Sequence, residues 1–405
     1  MTQPPRVAFF TDSFHEVNGV ALTSRQLDAF ARRRQYPFLS VHAGAATSLA
    51  RDGNYRQYEL KRGPAAISLD RDLFLDPFLA RYRAAVAQSV KEFQPDLIHV
   101  TGPGDFGILG LLLAHSLRVP LVASWHTNLH EFAARRLEKL LGFFPEAMRK
   151  ASSAFADRGS LNAVLWFYRQ ARVCLAPNQE LIDLVSEGTG RPTFLMQRGV
   201  NTELFSPEKR TRGAAFPPSR QEDPFTLGFV GRLQAEKNVR FLAELERALL
   251  GAGKSDFRFL IVGGGGEKQW LQENLKQADF PGVLQGEDLA RAYANMDAFV
   301  FPSFTDTFGN VILEAMASGV PSVVTTGGGP KFLVKSGVTG FVASSEESFS
   351  DCVLRLMDDP DLRERMSLSA RQNALSLSWD ETFERVYEAY AVCIAERGEI
   401  LPQAC

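Results

Sequence analysis

The chain has 405 residues, 45% of them hydrophobic and 23% charged, with a formal net charge of −2. That length suggests two or three domains, each able to bury a core without disulfide or metal staples. The near-neutral balance gives no basis for nucleic-acid binding, and Cys174, Cys352, Cys393 and Cys405 lack the pair spacing of a metal cluster or disulfide framework.

The start, MTQPPRVAFFTDSF, has no charged segment followed by an apolar core, so no signal peptide is predicted. No stretch reaches the ~18 apolar residues of a membrane-spanning helix. A cytoplasmic protein is expected. In chain order, a strand at Val7–Thr11 leads into the loop Asp12–Val20, with its Asn18-Gly19 pair, and a helix from about Ala21. A glycine at that junction lets the backbone approach an anion closely, or simply makes the turn. Strands follow at Phe38–Val41, Leu97–Val100, Leu121–Ser124 and Val173–Ala176, several after turn residues such as Gln94-Pro95-Asp96. Asp70-Arg71-Asp72 reads as a helix N-terminal cap rather than a metal site. The apolar run Ile108–Ala114 suits a buried helix. A second strand series runs Thr226–Val230, Arg258–Val262, Ala298–Phe301 and Ser322–Thr325. Continuous apolar strands separated by helices imply parallel sheets covered on both faces, and two series imply two doubly wound units. Between them FSPEKRTRGAAFPPSRQEDP, residues 205–224, has no periodicity and reads as a linker. The last long helix is expected at about Asp380–Glu396.

The most informative stretch is 301–330, FPSFTDTFGNVILEAMASGVPSVVTTGGGP. A strand ends, a polar loop follows, and a helix begins; Asp306 and Glu314 lie eight positions apart around Phe308, Gly309 and Asn310. A helix N-terminus offers unpaired N–H groups and the positive end of the macrodipole, which suit phosphate. The carboxylates can take hydroxyl protons from a sugar on one side and a ribose on the other. The arrangement suits a nucleotide-sugar. His126, just past the fourth strand of the first series, stands where doubly wound sheets bind ligands, although a satisfied structural histidine fits there too. The glycines of Val262–Glu267 and Gly19 open no dinucleotide fingerprint, which argues against NAD.

The 301–330 segment resembles the acidic motif of the family-4 retaining glycosyltransferases, which have the GT-B fold, with Asp306 in place of the usual first glutamate. Its Thr-Asp-Thr-Phe-Gly-Asn context is similar to a mannosyltransferase-like subset. Gly228–Asn238 matches that family's Gly-Arg-Leu followed by a lysine five positions after the arginine, here Arg232 and Lys237. Arg198–Phe205 resembles its hinge segment, with Arg198 for the usual Asn and Asn201 for the usual Asp. The resemblance implies an α/β GT-B fold: two Rossmann-like doubly wound parallel-sheet domains facing across a cleft. The acceptor-side domain would hold 1–205 plus a returning C-terminal helix, 380–405, and the nucleotide-sugar domain 206–379.

The roles implied are these. Gly19 faces the donor diphosphate, and His126 contacts the donor sugar. Arg232 and Lys237 hold the diphosphate as negative charge develops on it. Asp306 holds sugar hydroxyls and Glu314 ribose hydroxyls, while N–H groups near Phe308, Gly309 and Asn310 bind phosphate. His126, Arg232, Lys237 and Asp306 are the expected catalytic set. The donor, GDP-mannose or a UDP-hexose, is a substrate; no cofactor and no metal are expected. Attack on the donor's front face would retain the anomeric configuration, with the acceptor a lipid, a glycan or a small molecule. Residues 131–172 mix aromatics with cations and read either as a solvated face or as a basic surface for an anionic inner membrane. Two other readings are a nucleotide-sugar 2-epimerase of the same fold and a non-catalytic two-lobed sugar-binding protein.

Overall fold

The computed structural model describes residues 3–16, 18–64, 66–70, 73–76, 78–126, 159–211 and 224–395. The chain forms two compact units, one built from the chain up to Gln197 and again from Trp379, the other from Arg198–Ser378.

The first unit carries β1 (Val7–Thr11), β2 (Phe38–Gly44), β3 (Ser48–Asp52), β4 (Tyr55–Lys61), β5 (Ile67–Asp70), β6 (Leu73–Leu75), β7 (Leu97–Val100), β8 (Leu121–Ser124), β9 (Val173–Ala176) and β10 (Thr193–Leu195). Eight of these form one sheet in the order β10-β9-β8-β7-β1-β2-β4-β3. Only the edge strand β3 runs antiparallel to its neighbour. β1, β7, β8 and β9 are buried at every position, as parallel strands covered by helices on both faces must be. One cover is the final helix, Trp379–Ala395. Its buried Trp379, Phe383, Val386, Tyr390 and Cys393 recur at helical spacing, and the Phe383 ring packs, tilted, 5.6 Å from Phe30 of the first helix, Gly19–Arg33.

The second unit holds β11 (Phe225–Val230), β12 (Phe257–Val262), β13 (Ala278–Gly282), β14 (Ala298–Phe301), β15 (Ser322–Thr325) and β16 (Gly340–Ala343), ordered β13-β12-β11-β14-β15-β16 and parallel throughout.

Three sequence expectations change. Asp70 does not cap a helix; it ends β5, which pairs antiparallel with β6. The Ile108–Ala114 helix is longer, Asp105–Leu117, and only half covered: Ile108 and Leu112 are 46% and 45% exposed. The boundary lies near 197 rather than 205, because Val200 and Phe205 are buried in the second unit's core. The expected linker begins as a short turn at Pro207–Lys209 capped by Ser206; its residues 212–223 lie outside the described residues. So do 127–158, and with them most of the aromatic and basic stretch. Residues 159–169 are helical, with Phe167 and Tyr168 buried. No helix among the described residues is long and apolar enough to cross a membrane.

Candidate active site

In each unit the strand order reverses at one point, and ligands of doubly wound sheets bind beyond the strand ends there. In the second unit this point lies between β11 and β14. The loop leaving β11 carries Arg232 and Lys237; the loop leaving β14 carries Asp306. Thr305 Oγ1 donates to the Glu236 carbonyl at 3.2 Å and ties the two loops together.

Lys237 Nζ donates to Asp306 Oδ1 at 2.6 Å, with the side chains only 13% and 19% exposed. The other oxygen, Asp306 Oδ2, is buried and has no hydrogen-bond partner among the described residues. A buried acceptor of this kind is costly unless a donor reaches it. Arg232 is 44% exposed and pairs with Glu236 at 2.7 Å. The glycine loop after β12 braces this region: Leu233 N donates to the Gly264 carbonyl and Glu267 N to the Leu233 carbonyl, both at 3.0 Å. A Cβ on Gly263, at φ +145°, would stand 1.9 Å from the Gly231 carbonyl oxygen.

Past Asp306, Gly309 takes φ +97° and starts the Asn310–Ala317 helix, whose first turn no side chain caps. Arg198 lies under that turn. It is 6% exposed, donates to Asn310 Oδ1 at 3.1 Å and sits over the Phe308 ring at 5.4 Å. Burial pulls its pKa down to about 10, with Asp306 acting the other way. One turn into the helix, Glu314 Oε2 accepts from the Tyr293 hydroxyl at 2.8 Å. Burial pushes Glu314 up to about 7, against the pull of that bond.

In the first unit the reversal falls between β7 and β1. Asn18 caps the Gly19–Arg33 helix by accepting from Ala21 N at 2.8 Å, so Gly19 is its first residue. Asp12, directly after β1, accepts from Phe106 N at 2.9 Å, and burial raises its pKa to about 6, helped by Asp105. His126 follows β8, 8% exposed, with Nε2 2.8 Å from Ser124 Oγ.

The structure therefore brings Lys237, Asp306, Phe308, Gly309, Asn310 and Glu314 together in the second unit, with Arg232 on the same loop as Lys237; Gly19 and His126 belong to the first. Sequence reasoning missed Arg198 as a partner of the 308–310 turn, Tyr293 as the partner of Glu314, and Asp12. An aspartate directly after the first strand was a usable signal for the last. The other two contacts join residues 112 and 21 positions apart, which no local pattern displays.

Two doubly wound sheets of this kind recur in solved structures. Anabaena Alr3699/HepE in complex with UDP and glucose superposes with a TM-score of 0.67 at 20% identity, covering 96% of this chain and 99% of that one. Sucrose-phosphate synthase from Thermosynechococcus elongatus gives 0.71 at 19% identity, covering 97% and 99%. The fold is GT-B. Residues 17–204 match the model described as Glycosyltransferase Family 4, and residues 224–359 the model described as Glycosyl transferases group 1. The GDP-mannose-dependent alpha-mannosyltransferase of Corynebacterium glutamicum is 30% identical over 400 residues, 97% of this chain and 90% of that protein. The enzyme of that name from Mycobacterium tuberculosis is 32% identical over 78% of this chain and 77% of its own length. The chain belongs to glycosyltransferase family 4, which sets aside the epimerase and non-catalytic readings.

Proposed function

We propose that the protein is a retaining, metal-independent α-mannosyltransferase that uses GDP-mannose and glycosylates a hydroxyl of a lipid or glycan. The observation that carries the donor site is the divided carboxylate of Asp306, one oxygen held by Lys237 and the other buried without a partner among the described residues. A sugar hydroxyl donating to Oδ2 would satisfy it. Lys237, Arg232 and the uncapped N-terminus of the Asn310–Ala317 helix supply positive charge for the diphosphate, the role a metal ion plays elsewhere. Glu314 takes ribose hydroxyls while Tyr293 holds it in place. Arg198 stiffens the Phe308–Asn310 turn. Gly19 and His126 keep the diphosphate and sugar contacts that the family resemblance implies. The choice of GDP-mannose rests on the names of the relatives at 30% and 32% identity.

The test is the melting temperature with GDP, UDP and ADP, each without and with magnesium, followed by product analysis. A ligand at about 100 times its dissociation constant adds ~2.7 kcal/mol of stability. GDP alone should raise the melting temperature, equally with and without magnesium, and GDP-mannose should give an α-linked product. A response to UDP alone, or a β-linked product, would refute the reading.

A further inference from the structure

Behind His126 in the first unit runs a buried line of polar side chains that the donor-site reading does not use. The Tyr390 hydroxyl, on the final helix, lies 2.7 Å from His99 Nδ1. His99 Nε2 lies 2.9 Å from Ser124 Oγ, and Ser124 Oγ lies 2.8 Å from His126 Nε2. Tyr390, His99 and Ser124 are completely buried.

The direction of the protons follows from the donors available. Burial pushes His99 down to about 3, so its ring is neutral, with one N–H and one lone pair. Burial also keeps the Tyr390 hydroxyl protonated, and His99 Nδ1 is its one hydrogen-bond partner among the described residues. A buried O–H without an acceptor is disfavoured, so Tyr390 donates to Nδ1. His99 must then carry its proton on Nε2 and donate to Ser124 Oγ. Among the described residues the Ser124 hydroxyl has two acceptors in reach, the Val100 carbonyl at 3.4 Å and His126 Nε2 at 2.8 Å. The former is beyond the usual O–H···O length, so the proton points to His126. His126 Nε2 is thus an acceptor, and its own proton sits on Nδ1.

We propose that Tyr390, His99 and Ser124 are positioning residues that hold His126 in one orientation and as the Nδ1–H tautomer. Any group that meets His126 at Nδ1, a sugar hydroxyl in the donor-site reading, then faces an N–H donor whose geometry is set from the Trp379–Ala395 helix. This consequence rests on His126 contacting the donor sugar; the tautomer does not.

Full-length protein labelled with ¹⁵N at its six histidines tests it, by two-bond ¹H–¹⁵N correlation and with His126→Asn for assignment. The wild type should show His126 protonated on Nδ1 and His99 on Nε2. Ser124→Ala and Tyr390→Phe should leave His126 as a mixture of tautomers. In steady state Tyr390→Phe should lower kcat roughly fivefold, the net size of one hydrogen bond. Added to His126→Ala it should cost nothing further, because both act through one ring. A proton on Nε2 of His126 in the wild type, or an unchanged His126 signal in the folded Ser124→Ala and Tyr390→Phe variants, overturns the proposal. Full activity of His126→Ala with the expected tautomers would instead remove the sugar contact and leave the relay standing. Thermal melts of each variant separate loss of fold from loss of the relay.

Discussion

Lys237 and Arg232 leave the same loop but meet different surroundings. Lys237 is nearly enclosed with Asp306, whereas Arg232 is 44% exposed beside Glu236. Removing one donor of transition-state charge typically costs 10²–10³ in rate, or about 2.7–4 kcal/mol. Lys237→Ala and Arg232→Ala should each lower turnover by roughly that factor. Stability should separate them. Lys237→Ala strands a largely buried carboxylate and should destabilise the fold by about 1–3 kcal/mol, while Arg232→Ala should stay within about 0.5 kcal/mol of the wild type. Turnover near normal in either variant would remove that residue from the diphosphate site. Glu314 gives a pH signature. Its pKa rises from the ordinary 4.5 to about 7 in the fold. The stability linked to its proton is complete below 4.5 and is lost as pH rises through about 7. Glu314→Gln has no such proton to lose, so it should be more stable than the wild type at pH 8, on the order of 3 kcal/mol, with the gap closing by pH 4. Urea midpoints at pH 4, 6 and 8 decide it; parallel curves for the two proteins would show that Glu314 ionises normally.

At the scale of the element, the Asn310–Ala317 helix begins where Gly309 takes φ +97°, with the site of a Cβ only 3.1 Å from Pro330 Cγ. Gly309→Ala should cost about 1–3 kcal/mol through this left-handed strain. It should also weaken GDP binding, because the helix start moves relative to Asp306. Calorimetric titration with GDP checks this, and unchanged affinity would show that the helix N-terminus is not a phosphate site. The strands were legible from composition because parallel strands covered on both faces read as unbroken apolar runs. β1, β7, β8, β9, β14 and β15 fall where those runs stand. The strands β3 (SLARD), β4 (YRQYELK) and β13 (ADFPG) were not legible. Each carries polar residues at exposed or half-exposed positions toward a sheet edge, and only neighbouring strands make it extended.

At the scale of the whole molecule, the first unit depends on chain that arrives last. Phe383 and Tyr390 of the final helix are completely buried against Phe9, Phe30 and Leu27. The exposed pairs Arg33–Asp380 and Arg34–Glu384 beside them contribute little. Phe383→Ala should therefore cost about 3–5 kcal/mol by opening a cavity in this core. A urea titration with near-wild-type stability would show that the helix only rests on the surface.

The amino-acid sequence by itself determined the class of fold and which charged side chains the loops after β11 and β14 carry. Apolar runs at βα spacing admit few architectures, and Asp306, Glu314, Arg232 and Lys237 lie within short, self-contained motifs. Tertiary structure decided what those groups are bonded to. It placed Lys237 rather than Arg232 against Asp306, set Arg198 beneath Asn310, and joined Tyr293 to Glu314 and Tyr390 to His99. The reason is physical: a motif records the backbone path of one loop, whereas a partner's identity and a group's burial depend on segments that meet only when the sheets are packed.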